Sequence, residues 1–440
     1  MNSNLIDKKI AILGLGISNI SVIAYLISHD IKRLSVFDTR SNPPFVEQLP
    51  RGIDLRLGPF SYEALKDFDL LIVSPGLSTH EGAIAEARNA GIDIIGDIEL
   101  FAHEVKAPVV GITGSNGKST VTALIAYIAQ KAGMKAVAGA NIGNSVFDIL
   151  KDDVELYVLE LSSFQLETTR SLKLEAGLIL NVSEDHLDRY EGSIEKYTEA
   201  KQRIFMHCKH PICNRDDKRT YPGGKLCEPN FGKDEKNYGL VKDDDKIFLG
   251  YNGEPIIDTS ELHIYGVHNY LNALAAMAVC DTLKIDRTSQ YTGLMTFQGL
   301  AHRCQLVREF NNVTFYNDSK ATNVASTEAA IQGLKKMHKK GIILLAGGIG
   351  KGQDFTPLKK YLGREVKFMF CFGRDSKDLC ALDKKRTQQV VNMRQALKEA
   401  WKMATKGQAI LLSPACASFD QFKGYDERGR VFVSLVNDIK

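Results

Sequence analysis

The sequence predicts an α/β protein of three domains, each built on a mainly parallel sheet. Three observations carry this. The chain has 440 residues, and at roughly 100–200 residues per domain that length holds two to four. Three successive blocks alternate short apolar runs with helix-length stretches, the pattern of strands joined by crossover helices. In each block at least one apolar run ends in a glycine-rich turn. The composition agrees: 44% hydrophobic and 25% charged residues match a globular chain and exclude a disordered, fibrous or membrane-bundle protein.

Charge argues against a nucleic-acid partner. Lys+Arg 56 against Asp+Glu 53 leaves a net charge of +3, and no dense basic stripe occurs. Eight cysteines without a CxxC pair read as free thiols of a reducing cytosol. Lys8 and Lys9 precede a charge-free stretch over 10–28 that loosely resembles a secretion signal. Gly14, Gly16, Ser18, Asn19 and Ser21 interrupt it, and no A-x-A site follows. No run is apolar for long enough to span a bilayer. The expectation is a cytoplasmic monomer with no membrane partner.

The first block, 1–96, places strands at 9–13, 33–37, 70–73 and 92–96, with a helix starting over 20–27. The first strand runs into Gly14-Leu15-Gly16-Ile17-Ser18-Asn19, a dinucleotide fingerprint lacking its third glycine. The second ends at Asp38-Thr39-Arg40, where an acid suits a ribose, and Ser74-Pro75-Gly76 turns at the same sheet edge. This Rossmann-like arrangement suits a nicotinamide cofactor or the nucleotide part of a substrate.

The second block, 97–300, carries strands at 109–113, 156–161 and 177–182. The polar, Gly- and Pro-rich stretch 211–260 reads as an irregular or antiparallel insertion, and a helix over 268–283 follows. Its strongest motif is Thr113-Gly114-Ser115-Asn116-Gly117-Lys118-Ser119-Thr120, between a buried strand and a helix with Val121, Leu124, Ile125 and Ile128 on one face. Backbone amides of such a turn cradle phosphate oxygens, Lys118 adds a charge, and Ser119 a hydroxyl for Mg²⁺. The strict phosphate-loop pattern asks for Gly where Ile112 stands, but strand, loop and helix occur in order. The block is therefore P-loop ATPase-type.

A metal beside the phosphates needs a carboxylate, and Glu160 ends a wholly apolar strand, an odd place for a surface acid. His186 follows the next strand, where ligands gather in open α/β sheets. Lys201 shares the apolar stripe of a helix over 194–205 with Ile194, Tyr197, Ile204 and Phe205. From the residues alone, snorkelling to water is the favoured reading. The alternative is a desolvated neutral amine that forms a carbamate with CO₂.

The third block, 301–440, again Rossmann-like, has strands at 342–346, 366–372 and 409–413. Leu345-Ala346-Gly347-Gly348-Ile349-Gly350-Lys351 ends one in a glycine turn with a lysine. Ser413-Pro414-Ala415-Cys416-Ala417-Ser418-Phe419-Asp420 ends another and is expected to open a helix suited to a carboxylate ligand. Cys416 has no neighbouring His and reads as a small buried residue. Lysines 335, 336, 339 and 340 read as a solvated helix end.

Six segments resemble the Mur ligases, ATP-dependent amide-forming enzymes of peptidoglycan precursor synthesis. They are GITGSNGKST (111–120), LELSSFQLE (159–167), NVSEDHLDRY (181–190), GVHNYLNALAA (266–276), NDSKATN (317–323) and SPACASFDQF (413–422). The last two are most similar to the D-glutamate-adding branch. The resemblance implies a ligase joining D-glutamate to UDP-N-acetylmuramoyl-L-alanine through an acyl phosphate, with ATP and one or two Mg²⁺ ions. It assigns Gly114, Ser115, Asn116, Gly117, Lys118, Ser119, Thr120, Asn269, Asn272, Arg303 and Asp318 to ATP. It assigns Ser119, Glu160, His186 and a carbamylated Lys201 to metal, and Lys118, Glu160, His186 and Lys201 to catalysis. Ile17, Ser18, Asp38, Thr39, Arg40, Gly76 and Asn141 match the uridine-diphosphate side. Thr322, Lys351, Ser418 and Phe419 match the D-glutamate pocket. Ile349 and Gly350 stand beside Lys351 where many relatives carry an acid. Another Mur-type or folylpolyglutamate-type ligase, a nicotinamide oxidoreductase resting on Gly14, Gly16 and Asp38, and a non-catalytic nucleotide-binding switch or scaffold are the rivals.

Overall fold

A computed structural model describes residues 5–335 and 337–440. Three sheets follow one another along the chain. The first comprises β1 (Ile10–Leu13), β2 (Leu34–Asp38), β3 (Asp54–Leu57), β4 (Leu70–Val73) and β5 (Asp93–Ile95). They lie in the order β3-β2-β1-β4-β5, all parallel. β1 and β4 are buried at every residue, so their runs show no alternation of apolar and polar positions. β3 did not stand out in the sequence because its Asp54-Leu55-Arg56-Leu57 is a mostly exposed edge.

The second sheet contains β6 (Val109–Thr113), β7 (Ala136–Ala140), β8 (Leu156–Glu160), β9 (Leu174–Ile179), β10 (Cys208–Asn214), β11 (Asn230–Phe231), β12 (Tyr238–Asp243), β13 (Lys246–Tyr251) and β14 (Glu254–Asp258). Its order is β14-β13-β12-β11-β10-β9-β6-β8-β7. β6 lies between β8 and β9: the chain leaves it for β7 on the β8 side, returns to β8, and then crosses to β9 on the other side. The carboxyl end of such a strand is where an open α/β sheet forms its ligand crevice. The 211–260 stretch is not irregular throughout. β10 and β11 extend the sheet in parallel, and β12 to β14 form the expected antiparallel part. The helix expected over 194–205 is Ile194–Gln202 followed by a 3₁₀ turn, Arg203–Phe205.

One apolar core joins the first two sheets, running from Ile12 and Leu26 through Phe101 to Tyr157 and Ile204. Phe101 meets Tyr157 edge-on at 5.3 Å between centroids, and Tyr25 meets Phe147 at 4.4 Å. Residues up to Glu261, with Leu271–Met295, form one compact unit around these sheets.

A second unit comprises Leu262–Tyr270 and Thr296–Lys440. Its sheet contains β15 (Gln305–Phe310), β16 (Val313–Asn317), β17 (Ile342–Gly347), β18 (Val366–Phe372), β19 (Thr387–Gln389) and β20 (Ala409–Leu412), in the order β15-β16-β20-β17-β18-β19. All pairs are parallel except β15 with β16. The helix expected to open after 413 is absent, and the next helix is Tyr425–Asn437. Backbone pairing takes that stretch instead. Gly347 N–H donates to Pro414 O at 2.8 Å, and Ile349 and Ala417 exchange N–H···O bonds of 2.8 and 2.9 Å. Ala415 sits at φ +58°, outside any helix.

Among the described residues, no helix is long and apolar enough to cross a membrane.

Candidate active site

The turn after β6 is shaped by glycine. Gly114 has φ +147° and Gly117 φ +87°, conformations that L side chains rarely adopt. A Cβ on Gly117 would lie 2.5 Å from the Asn272 side-chain oxygen. The turn opens the helix Lys118–Lys131, whose N-terminal dipole end therefore lies at the carboxyl end of β6. Asn181, which the sequence reading did not single out, clamps the loop. Its Oδ1 accepts from Asn116 N–H at 2.9 Å and its Nδ2 donates to Asn116 O at 3.0 Å. Ser115 adds a bond from its N–H to Asn181 O at 2.9 Å and one from its hydroxyl to Ser183 O at 3.0 Å. The only available signal for Asn181 was its place directly after an apolar run.

Lys118 lies over the loop, its Nζ donating to Gly114 O at 2.9 Å and Ser115 O at 3.1 Å. Ser119 and Thr120 are buried at the first helical turn. The Ser119 hydroxyl donates to Glu160 Oε2 at 2.5 Å, and Asn141 Nδ2 donates to Glu160 Oε1 at 2.9 Å. Glu160 is 3% exposed. The pairing of β6 with β8 aligns Ile112 with Glu160 and so brings the acid to the loop. Asn141, grouped with the uridine-diphosphate residues, lies at this carboxylate because β7 pairs with β8 and Ala140 aligns with Glu160.

Lys201 does not snorkel. It is 1% exposed. Its Nζ donates to Gly114 O at 3.1 Å and lies 4.3 Å from the Tyr197 ring centroid. Burying an ammonium costs several kcal/mol, of which one charge-assisted carbonyl bond returns about 1.5–3 and a ring face about 2. The site thus disfavours the ammonium relative to the neutral amine. Burial, with Lys118 nearby, lowers its pKa to about 7.

His186 is exposed and adopts φ +52°. Its ring meets Phe164 at 5.1 Å and its Nε2 lies 3.6 Å from Asp185. These contacts do not join it to the Ser119–Glu160 pair. Among the described residues no group of three or more His, Cys, Asp or Glu side chains gathers around one point. The oxygen donors present are a hydroxyl and a single carboxylate, hard ligands of the sort Mg²⁺ uses together with substrate phosphates. The residues fit that ion and not a dedicated protein cage.

In the first sheet, Asp38 is 1% exposed. It accepts from Leu15 N–H at 2.7 Å, from Arg40 N–H at 2.9 Å, and from Arg40 Nη2 at 2.6 Å. Burial pushes its carboxyl up, but these donors reverse that and hold it below the usual range. Ile17, Thr39 and Gly76 are exposed, while Ser18 is partly buried.

Asn272 lies in the helix Val267–Thr282 and is buried; Asn269 Nδ2 donates to Tyr265 O at 2.9 Å. In the second unit, Asp318 accepts from Cys304 N–H at 3.0 Å and from the Ser413 hydroxyl at 2.7 Å. Burial lifts its pKa to about 7. Arg303 is partly buried. Ser418 is buried, Lys351 exposed at φ +55°, Phe419 exposed, and Thr322 partly buried with its N–H on Lys320 O at 2.8 Å.

Comparison with known proteins decides the family. Three family models match in sequence: a Mur ligase MurD-like N-terminal domain over 8–96, a Mur ligase middle domain over 112–280, and a Mur ligase glutamate ligase domain over 302–416. The chain belongs to the Mur ligase family. It is 46% identical over 437 residues to the UDP-N-acetylmuramoylalanine--D-glutamate ligase of Yersinia pseudotuberculosis, covering 98% of each chain. Identity to the ligase of the same name from Aliivibrio fischeri is 44% over 432 residues, 97% of each chain. Among solved Mur ligases, the UDP-N-acetylmuramate-alanine ligase of Thermotoga maritima shares the fold, with a TM-score of 0.63 at 20% identity. That likeness covers 98% of this chain and 100% of that one.

Proposed function

We propose that this Mur ligase joins D-glutamate to UDP-N-acetylmuramoyl-L-alanine at the expense of ATP, in cytoplasmic peptidoglycan precursor synthesis. The observation that carries the reading is the constellation of the partly buried Lys118 with the buried Ser119, Glu160 and Lys201 around one phosphate-type turn. The full-length likeness to enzymes named for that reaction supports the choice of amino acid. The work is divided among 1–96 for the uridine nucleotide, 97–300 for ATP and 301–440 for the amino acid.

A carboxylate is a poor electrophile, so amide formation needs activation. In this reading an oxygen of the substrate carboxylate attacks the γ-phosphorus of ATP, ADP leaves, and an acyl phosphate forms. The D-glutamate amine then attacks the acyl carbon, and the tetrahedral intermediate collapses to amide and phosphate. The amides at the head of the helix that the loop opens, with Lys118, hold the phosphates in line and balance their charge. Ser119 and Glu160, with Lys201 as carbamate and His186, would hold Mg²⁺, which supplies further neutralisation of phosphate charge. Carbamate formation joins the neutral Lys201 amine nitrogen to the carbon of CO₂ and releases one proton. The new group gives a buried anion where the chain otherwise has an amine.

The test is incubation with UDP-N-acetylmuramoyl-L-alanine, ATP, Mg²⁺ and D-glutamate, with product mass and phosphate release measured. A product heavier by one glutamate residue, made only with the D-isomer, is expected. ATP consumption without that product, or equal use of other amino acids, overturns the reading.

A further inference from the structure

Three neighbouring strands of the third sheet, β16, β20 and β17, send loops from their carboxyl ends. The loops bear Thr322, Ser418 and Lys351 in turn. None of the three residues is in a helix, so their mutual placement depends on whatever ties the loops together.

Two other side chains supply the ties. Arg428, on the helix Tyr425–Asn437, is 0% exposed. Its Nε donates to the Ser319 hydroxyl at 2.9 Å. Nη2 donates to Ser319 O at 2.8 Å and Cys416 O at 3.0 Å, and Nη1 to Gly347 O at 3.3 Å. Gln353 repeats the arrangement further along. Its Oε1 accepts from Val324 N–H at 2.9 Å, while Nε2 donates to Gly350 O at 2.9 Å and Ala415 O at 2.7 Å. Each side chain therefore bonds to the chain leaving all three strands.

The Arg428 bonds end on neutral oxygens. A buried guanidinium so placed is an expensive way to fill space, and apolar packing of equal volume is often as stable or more so. What the planar fork adds is fixed geometry among its acceptors. We infer that Arg428 and Gln353 are positioning residues of the amino-acid pocket, setting the spacing of Thr322, Lys351 and Ser418 that selects an α-amino dicarboxylate. This rests on the reading of the third domain as the glutamate-binding one.

The full-length enzyme tests it through Gln353→Leu, Arg428→Lys and Arg428→Met, with KM measured for each of the three substrates. A misplacement near 1 Å costs up to about 10²-fold, and a rise of about tenfold in the D-glutamate KM is expected for Gln353→Leu. The KM for ATP and for the uridine substrate should change less. Arg428→Met should exceed Arg428→Lys, and thermal melting reports folding in parallel. If Arg428→Met does not fold, the other two variants still decide. A D-glutamate KM near the wild-type value in both Gln353→Leu and Arg428→Lys, or equal rises for all substrates, overturns the inference. Failure of the parent reading looks different: the unaltered protein would then make no D-glutamate product.

Discussion

Two glycine turns, each following a buried parallel strand, treat charge in opposite ways. In the turn after β1, Asn19 Nδ2 caps Leu13 O and Gly14 O at 3.0 and 2.8 Å, and Asp38 meets the Arg40 guanidinium. Opposite charges answer each other within the domain. In the turn after β6, the Lys201 amine rests on a carbonyl, and Glu160 accepts from a hydroxyl and an amide side chain. A turn that neutralises itself can recognise shape and hydrogen-bonding groups. A turn that holds a buried amine and a buried carboxylate on neutral hydrogen-bond partners is completed by a ligand that brings charge, as a triphosphate with its metal does.

The sharpest way to break this contrast is Lys201→Ala. Ligation should fall by about 10²–10³-fold or more, and a small carboxylate such as acetate or a high concentration of bicarbonate should restore part of it. The same amine sets a pH dependence. Its folded pKa is about 7, below the ordinary 10.5, so the charged form dominates below pH 7 and the neutral, carbamate-forming form above. At limiting CO₂, turnover should climb as pH rises through about 7, and the acetate-rescued variant should lack that step. Undiminished turnover in Lys201→Ala, or a rescued profile identical to the parent one, removes the carbamate.

Gly117→Ala sharpens the contrast at the backbone. The residue sits at φ +87°, and its added Cβ would press on Asn272. Left-handed backbone costs a non-glycine residue about 1–2 kcal/mol, so ATP affinity should drop roughly tenfold, read by calorimetry. Binding of the uridine substrate should not follow. Equal loss of both would place the defect in folding, not in the phosphate cradle.

Much of this was legible in the sequence. The largely apolar runs of β1, β4, β6 and β8 declared a parallel sheet, and Glu160 at the end of one was conspicuous. Lys201 was ambiguous because a helical stripe says which face is buried, not how deeply its last turn lies. The bond of Asn141 to Glu160 was not legible because adjacency of β7 and β8 is a topological fact with no local signature. The helix expected after 413 failed because the backbone of Pro414 and Ala417 pairs with 347–349 across the sheet end. Arg428 and Gln353 were invisible for the same reason: what they do depends on three loops brought together by strand order.

The smallest effect belongs to the self-neutralised turn. Asp38→Asn keeps the shape of the side chain and removes its charge. Arg40 is half exposed, so its ion pair contributes only about 0–1 kcal/mol. The buried Leu15 amide keeps an acceptor if the new side chain turns its oxygen inward. The KM for the uridine substrate should therefore rise by less than about tenfold, within the 1.4 kcal/mol that a tenfold change represents. The KM for ATP and the bicarbonate dependence should stay unchanged, because the charge lost here was answered locally. A collapse of ATP binding in Asp38→Asn would mean that the two turns share their electrostatics through the common core, and the contrast between them would fail.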